Sequence, residues 1–113
     1  MKKFLKGFEY AGKGVMEGFG GRNMKIHGII GVSVILVGLA MGLERWEWVA
    51  VFLAIGLVMG AELFNSSIEE LANVVRDENK LAYEATRKVR DLAAGAVLVA
   101  AIMAGIVGIV VLL

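Results

Sequence analysis

The stretch from Ala61 to Val75, AELFNSSIEELANVV, carries carboxylates and amides at helical spacing. Glu62, Asn65, Glu69 and Asn73 follow one another at intervals of three, four and four residues, which puts them on a single face of an α-helix. Glu69 falls about 10 Å beyond Glu62 along such a helix. Two chemistries suit this set. A carboxylate set among apolar residues, as Glu62 is, can take a proton from a reacting hydroxyl. Carboxylate and amide oxygens together suit Mg2+, which takes oxygen ligands and keeps part of its shell as water and phosphate oxygens. The same spacing also serves a polar strip packed against another helix or wetted at an interface, and spacing alone does not separate these readings.

The elements that must position the set are apolar. The chain has 113 residues, 58% of them hydrophobic, with 15 glycines, no proline and no cysteine. A soluble domain of this length leaves too much surface exposed to hide that apolar content. Disorder, disulfides and zinc-thiolate sites are excluded with it. Three apolar runs stand out: His27–Leu43, Trp48–Phe64 and Leu92–Leu113, the last being 22 residues without a charge. A span needs about 20 helical residues, so the third run crosses a membrane easily and the first two borrow flanking residues. The first run lacks the small-residue cleavage pattern of a signal peptide. The expected fold is therefore all-α and integral to a membrane, a single unit of three transmembrane helices over residues 1–113.

Charge placement sets the expected orientation. Eleven of the 12 Lys and Arg residues lie before His27 or between Phe64 and Leu92, and only Arg45 lies in the loop GLERWEW. By the positive-inside rule the N-terminus is cytoplasmic, the Arg45 loop external and the C-terminus outside, with Trp46 and Trp48 at the outer interface. In the N-terminal segment Phe4, Phe8, Ala11 and Val15 recur at helical spacing, which predicts an amphipathic helix lying in the headgroup layer. After Phe64 the second helix is expected to continue into the cytoplasm, and Leu71, Val74, Val75 and Leu81 are the apolar positions of the segment between the second and third runs. A turn near Asp77–Asn79 and a short amphipathic return follow. Gly38-x-x-x-Gly42 and Gly56-x-x-x-Gly60 place small residues where helices can approach closely. Three helices hardly enclose a site alone, so self-association is expected. No P-loop is present, and the glycines of GKGVMEGFGG follow no strand. His27 reads as an interfacial polar residue.

The motif ELFNSSIEELANVV resembles the signature of the small prokaryotic membrane lipid kinases, the diacylglycerol kinase and undecaprenol kinase family. RNMKIH resembles that family's approach to its first span and RKVRDLAAGAVLVAAI its approach to the third, so the resemblance covers essentially the whole chain. It implies a homotrimer in the bacterial inner membrane that moves the γ-phosphoryl group of Mg-ATP to the hydroxyl of a membrane lipid. No nucleic-acid partner is expected. Carried over residue by residue, Glu62 is the general base, Asn65 supports it and Glu69 is a Mg2+ ligand. Asp91 matches the acid at the mouth of the third helix, and Lys6 and Tyr10 match positions near the nucleotide.

Three positions depart from the family pattern. Gly21 stands where a metal-binding glutamate precedes Arg-Asn, Asn73 where an aspartate is usual, and Arg90 where a lysine binds ATP phosphates. Glu17, one turn before Gly21, is the acid expected to substitute as a metal ligand. RNMKIH and AAGAVLV are closer to the undecaprenol kinase branch. Two other readings follow from the same residues: a structural or lipid-binding family member without an intact metal site, and a small transporter using Glu62 as a proton or cation site.

Overall fold

The computed structural model describes all residues from Met1 to Leu113. It is entirely helical, with α1 at Lys2–Gly18, α2 at Arg22–Met41, α3 at Arg45–Glu78, a 3₁₀ turn at Tyr83–Thr86 and α4 at Arg87–Leu112. Helices α2, α3 and α4 are each long and apolar enough to cross a membrane. The first two runs gain the expected length from their flanks: α2 begins at Arg22, and α3 runs on from Phe64 to Glu78. At about 1.5 Å per residue α3 is about 50 Å long, well beyond a hydrocarbon layer of about 30 Å. Its final turns therefore project past the layer at the end of the bundle that carries most of the basic residues.

Only 13 of the 113 residues are buried, and Phe52, Leu53, Leu98, Ile109 and Val110 are more than half exposed. Such a surface belongs against lipid or neighbouring chains rather than water. The buried positions repeat every seven residues: Met24, Gly31 and Gly38 on α2, Val51, Val58, Asn65 and Ala72 on α3, and Thr86, Ala93 and Ala100 leading into and along α4. That repeat is the seam of gently coiled antiparallel helices. Glu62 and Arg90 take the intermediate seam positions, four residues after Val58 and Thr86. Helices α3 and α4 pack along their length. Helix α2 lies mainly against α3, which leaves a groove between α2 and α4. The molecule is a slab of 54 × 40 × 19 Å.

The ends of the helices have local causes. Gly42 closes α2 in the left-handed region at φ 70°, its N–H bonded to the Gly38 carbonyl at 3.0 Å, as a glycine after a helix C-terminus does. Gly38 lets the start of α3 come close to the end of α2. Its bare face abuts Leu43 and Trp48, and a Cβ there would lie 2.8 Å and 3.0 Å from them. Glu44 and Glu47 form a reciprocal capping box at the start of α3, and Glu44 also accepts a hydrogen bond from the Trp46 indole at 2.9 Å. A Cβ built on Gly56 or Gly60 would meet no atom beyond its own helix backbone within 4 Å.

The turn after α3 is one residue later than the sequence predicts. The helix holds through Glu78 and ends in a Schellman arrangement, with Leu81 N–H on the Arg76 carbonyl at 2.8 Å and Lys80 N–H on the Asp77 carbonyl at 3.3 Å. Lys80 occupies the left-handed position at φ 51°. No separate amphipathic return follows; Tyr83–Thr86 makes a 3₁₀ turn that runs straight into α4. The apolar positions Leu71, Val74, Val75 and Leu81 are all exposed, because the inward side of α3 at this level carries Ala72 and half-buried Asn73. Helix α1 has no buried residue and meets the bundle at its C-terminal end, where Gly18 abuts Leu63.

Candidate active site

Glu62 lies about 26 Å along α3 from Arg45, toward the end of the helix nearer most of the basic residues. It is only 3% exposed, and Asn65 only 5%. Both sit on the helix seam because of their spacing from Val58, so a polar pair occupies positions that elsewhere hold Val and Ala. Glu62 Oε2 and Asn65 Oδ1 are buried without a hydrogen-bond donor. An unpaired buried acceptor is costly in an apolar setting and marks a place where a donor or cation is expected to bind. His27, from the first turns of α2, brings Nε2 to 3.7 Å from Glu62 Oε2. One turn beyond, Asn65 Nδ2 donates to Oε1 of the exposed Glu69 at 3.4 Å.

A second polar cluster lies further along α3. Arg90 is 9% exposed, yet its partners are neutral. Its Nε donates to Thr86 Oγ1 at 2.9 Å and its Nη2 to Asn73 Oδ1 at 2.8 Å. The guanidinium carbon lies 4.8 Å from the centre of the Tyr83 ring. Thr86 in turn donates to the Tyr83 carbonyl at 3.1 Å. Two of the five guanidinium N–H groups are thus engaged in fixing the side chain, and three are left for an anion. The two departures from the family motif at Asn73 and Arg90 are one contact: the arginine pairs with the asparagine across the α3–α4 hairpin.

The remaining expected residues are not gathered with these. Asp91 is exposed and accepts from Arg87 Nη1 at 2.9 Å, while Glu84 takes Arg87 Nε at 3.0 Å. Lys6, Tyr10 and Glu17 are exposed on α1, with no hydrogen bond or ion pair to α3 or α4. Tyr10 is approached by Lys13 Nζ at 5.9 Å from the ring centre. No three acidic or histidine side chains of one chain meet closely enough to hold a metal ion.

The prokaryotic diacylglycerol kinase model matches residues 9–112, which takes in both polar clusters. The chain belongs to the prokaryotic diacylglycerol kinase family. It is 32% identical over 114 residues to the undecaprenol kinase of Bacillus subtilis strain 168, covering 100% of this chain and 90% of that one. It is 38% identical over 105 residues to the diacylglycerol kinase of a Synechocystis species, covering 92% of this chain and 59% of that longer one. No solved structure matches the chain. Family membership makes the chain a lipid kinase by class.

Sequence reasoning missed His27, Thr86 and Tyr83 as neighbours of the site. A signal for two of them exists. His27 stands three residues after Met24 and four before Gly31, and Thr86 stands seven before Ala93, so both are on the seven-residue seam. Tyr83 has no comparable signal.

Proposed function

We propose that the chain transfers the γ-phosphoryl group of ATP to the hydroxyl of a membrane lipid, undecaprenol or diacylglycerol. The observation that carries this reading is the buried Glu62 carboxylate with an oxygen that no donor satisfies. A lipid hydroxyl brought to that oxygen donates its proton to it as the hydroxyl oxygen attacks phosphorus. The new oxygen–phosphorus bond forms, the bond to ADP breaks, and the proton stays on Glu62. Asn65 holds the neighbouring turn through its bond to Glu69. Arg90, fixed by Thr86 and Asn73, turns its remaining donors to phosphate oxygens.

Glu69 would offer a carboxylate, and Asn65 an amide oxygen that lacks any donor, to a Mg2+ ion that keeps most of its shell as water and phosphate oxygens. When bound, the ion neutralises charge on the phosphate oxygens. Glu17 is the further acid proposed toward it. Lys6, Tyr10 and Asp91 are proposed on the nucleotide side.

The protein is proposed to act as a homotrimer in the bacterial inner membrane, with a cytoplasmic N-terminus and α1 lying in the headgroup layer. Because Lys6, Tyr10 and Glu17 make no hydrogen bond or ion pair to α3 or α4 within one chain, a neighbouring copy is the natural source of the missing shell. The alternative, a family member without catalysis, draws on Gly21 and on the lack of a three-ligand cluster in one chain. Phosphoryl transfer from labelled ATP to undecaprenol and to diacylglycerol in mixed micelles, with and without Mg2+, decides between them. Mg2+-dependent product supports the kinase reading; no product with either lipid sinks it. Cross-linking in detergent is expected to stop at three copies, and monomers at every concentration would refute the trimer.

A further inference from the structure

Transfer leaves a proton on Glu62, and the carboxylate must be free again before the next hydroxyl arrives. Its surroundings give that proton few ways out. The Glu62 side chain is 4% exposed, and no donor reaches its Oε2. The next acid on the same face of α3 is Glu69, about 10 Å further along the helix. Between them stands Asn65, an amide, which does not titrate. The one ionisable side chain within ion-pair distance of Glu62 is His27, whose Nε2 lies 3.7 Å from Oε2. Glu62 is in turn the one ionisable partner of His27. Helix α4 faces the histidine across an apolar groove with alanines, glycines and Val107, so no charged group of α4 competes for it. His27 lies about 8 Å along α2 from its start at Arg22, and its side chain is 22% exposed.

We propose that His27 is the exit for the proton that Glu62 takes from the substrate hydroxyl. The inference rests on the kinase reading and adds a second residue to its proton path. A neutral imidazole with its hydrogen on Nδ1 offers a lone pair at Nε2. Nε2 bonds to the proton, the Glu62 O–H bond breaks, and its electron pair stays on the carboxylate. The imidazolium then gives one proton to water or a buffer base, and exchange with water resets the ring. Imidazole suits the task because it gains and loses a proton near neutral pH. At 3.7 Å the two atoms are not hydrogen-bonded, and a small side-chain rotation or one bridging water brings them within reach. His27 is the more exposed of the pair, 22% against 4%, so the proton moves toward water. His27 acts through Glu62 and takes no part in the abstraction itself, so its loss slows repeated turnover and spares the first.

The test uses the full chain in mixed micelles with radiolabelled ATP and a lipid alcohol, sampled by rapid quench. His27→Gln keeps a polar side chain that can hydrogen-bond, but its amide cannot carry a proton. Its first turnover is expected at the wild-type rate, because a resting Glu62 has time to lose its proton to water by a slow route. Later turnovers are expected to slow about tenfold or more, which gives a burst near one product per site. KM for ATP and for the lipid is expected to stay within about twofold of wild type, with the oligomer size unchanged. His27→Ala is expected to show the same burst, and added imidazole to restore its steady rate in proportion to concentration. His27→Gln decides alone where His27→Ala does not assemble. A first turnover slowed as much as the later ones overturns the proposal, since His27 then only holds the site in shape. A steady rate of His27→Gln equal to wild type overturns it too, as does a slowed His27→Ala that imidazole leaves unchanged. Each of these results leaves the kinase reading intact. A wild type that phosphorylates no lipid alcohol refutes the kinase reading, and the proton exit with it.

Discussion

Replacing Glu62 by glutamine separates the two consequences of its burial. The side chain is 4% exposed and its Oε2 has no donor, while His27 Nε2 stands at 3.7 Å. Glutamine keeps the shape but exchanges one acceptor for an amide N–H that can turn to His27 Nε2. The buried unpaired acceptor disappears, and with it a cost of about 1–3 kcal/mol for an unsatisfied buried polar group. The charge disappears as well, and an ionisable group in a membrane segment is itself unfavourable. The variant is therefore expected to be more stable than the wild type by about 1–3 kcal/mol per chain. It is also expected to lose about 10²–10⁴-fold in kcat, the usual worth of a general base. The assay pairs phosphoryl transfer in mixed micelles with thermal loss of the oligomer, followed by size-exclusion chromatography of heated samples. A variant that melts lower than the wild type contradicts the view that Glu62 is an unsatisfied acceptor held for function. A variant that turns over within about threefold of wild type removes Glu62 as the proton acceptor, whatever its stability.

Five other outcomes follow. Arg90→Lys keeps the charge but cannot reach Thr86 and Asn73 together, so KM for ATP should rise about tenfold, about 1.4 kcal/mol, in initial-rate measurements. Glu69→Gln should abolish activity, whereas Gly21→Glu should lower the Mg2+ concentration for half-maximal rate. Gly21 has an ordinary extended backbone at φ −72°, so glutamate fits there without strain and faces the N-terminus of α2. Lys80→Gly should raise the melting temperature, since a non-glycine residue in the left-handed position costs about 1–2 kcal/mol; an unchanged or lower value counts against the strained cap. Single cysteines at Lys3, Glu47 and Lys80 should react with an impermeant thiol reagent from outside only at position 47, and the reverse pattern overturns the proposed orientation.

Three spans, their approximate limits and the shared face of Glu62, Asn65, Glu69 and Asn73 were legible in the sequence. Each is a property of one helix: run length sets the span, and helical spacing sets the face. Family motifs added roles to those residues. The partners were not legible. His27 meeting Glu62, and Arg90 meeting Asn73 and Thr86, depend on how far α2 and α4 slide along α3, and that register is set between helices. In a soluble bundle the hydrophobic stripe discloses the seam, but these helices are apolar all round, so the stripe has no contrast. The seam is instead marked by small residues at seven-residue spacing: Gly31 and Gly38, Ala72, Ala93 and Ala100. The end of α3 shows the same division. Asn79 and the charges around it predict a turn, but whether the helix stops at Asp77 or Glu78 is decided by the closing bonds of Lys80 and Leu81. Only the packed structure shows that two substitutions seventeen residues apart, at Asn73 and Arg90, form a single hydrogen bond. Helical periodicity orders residues within a helix, and the close approach of antiparallel helices decides which of them touch.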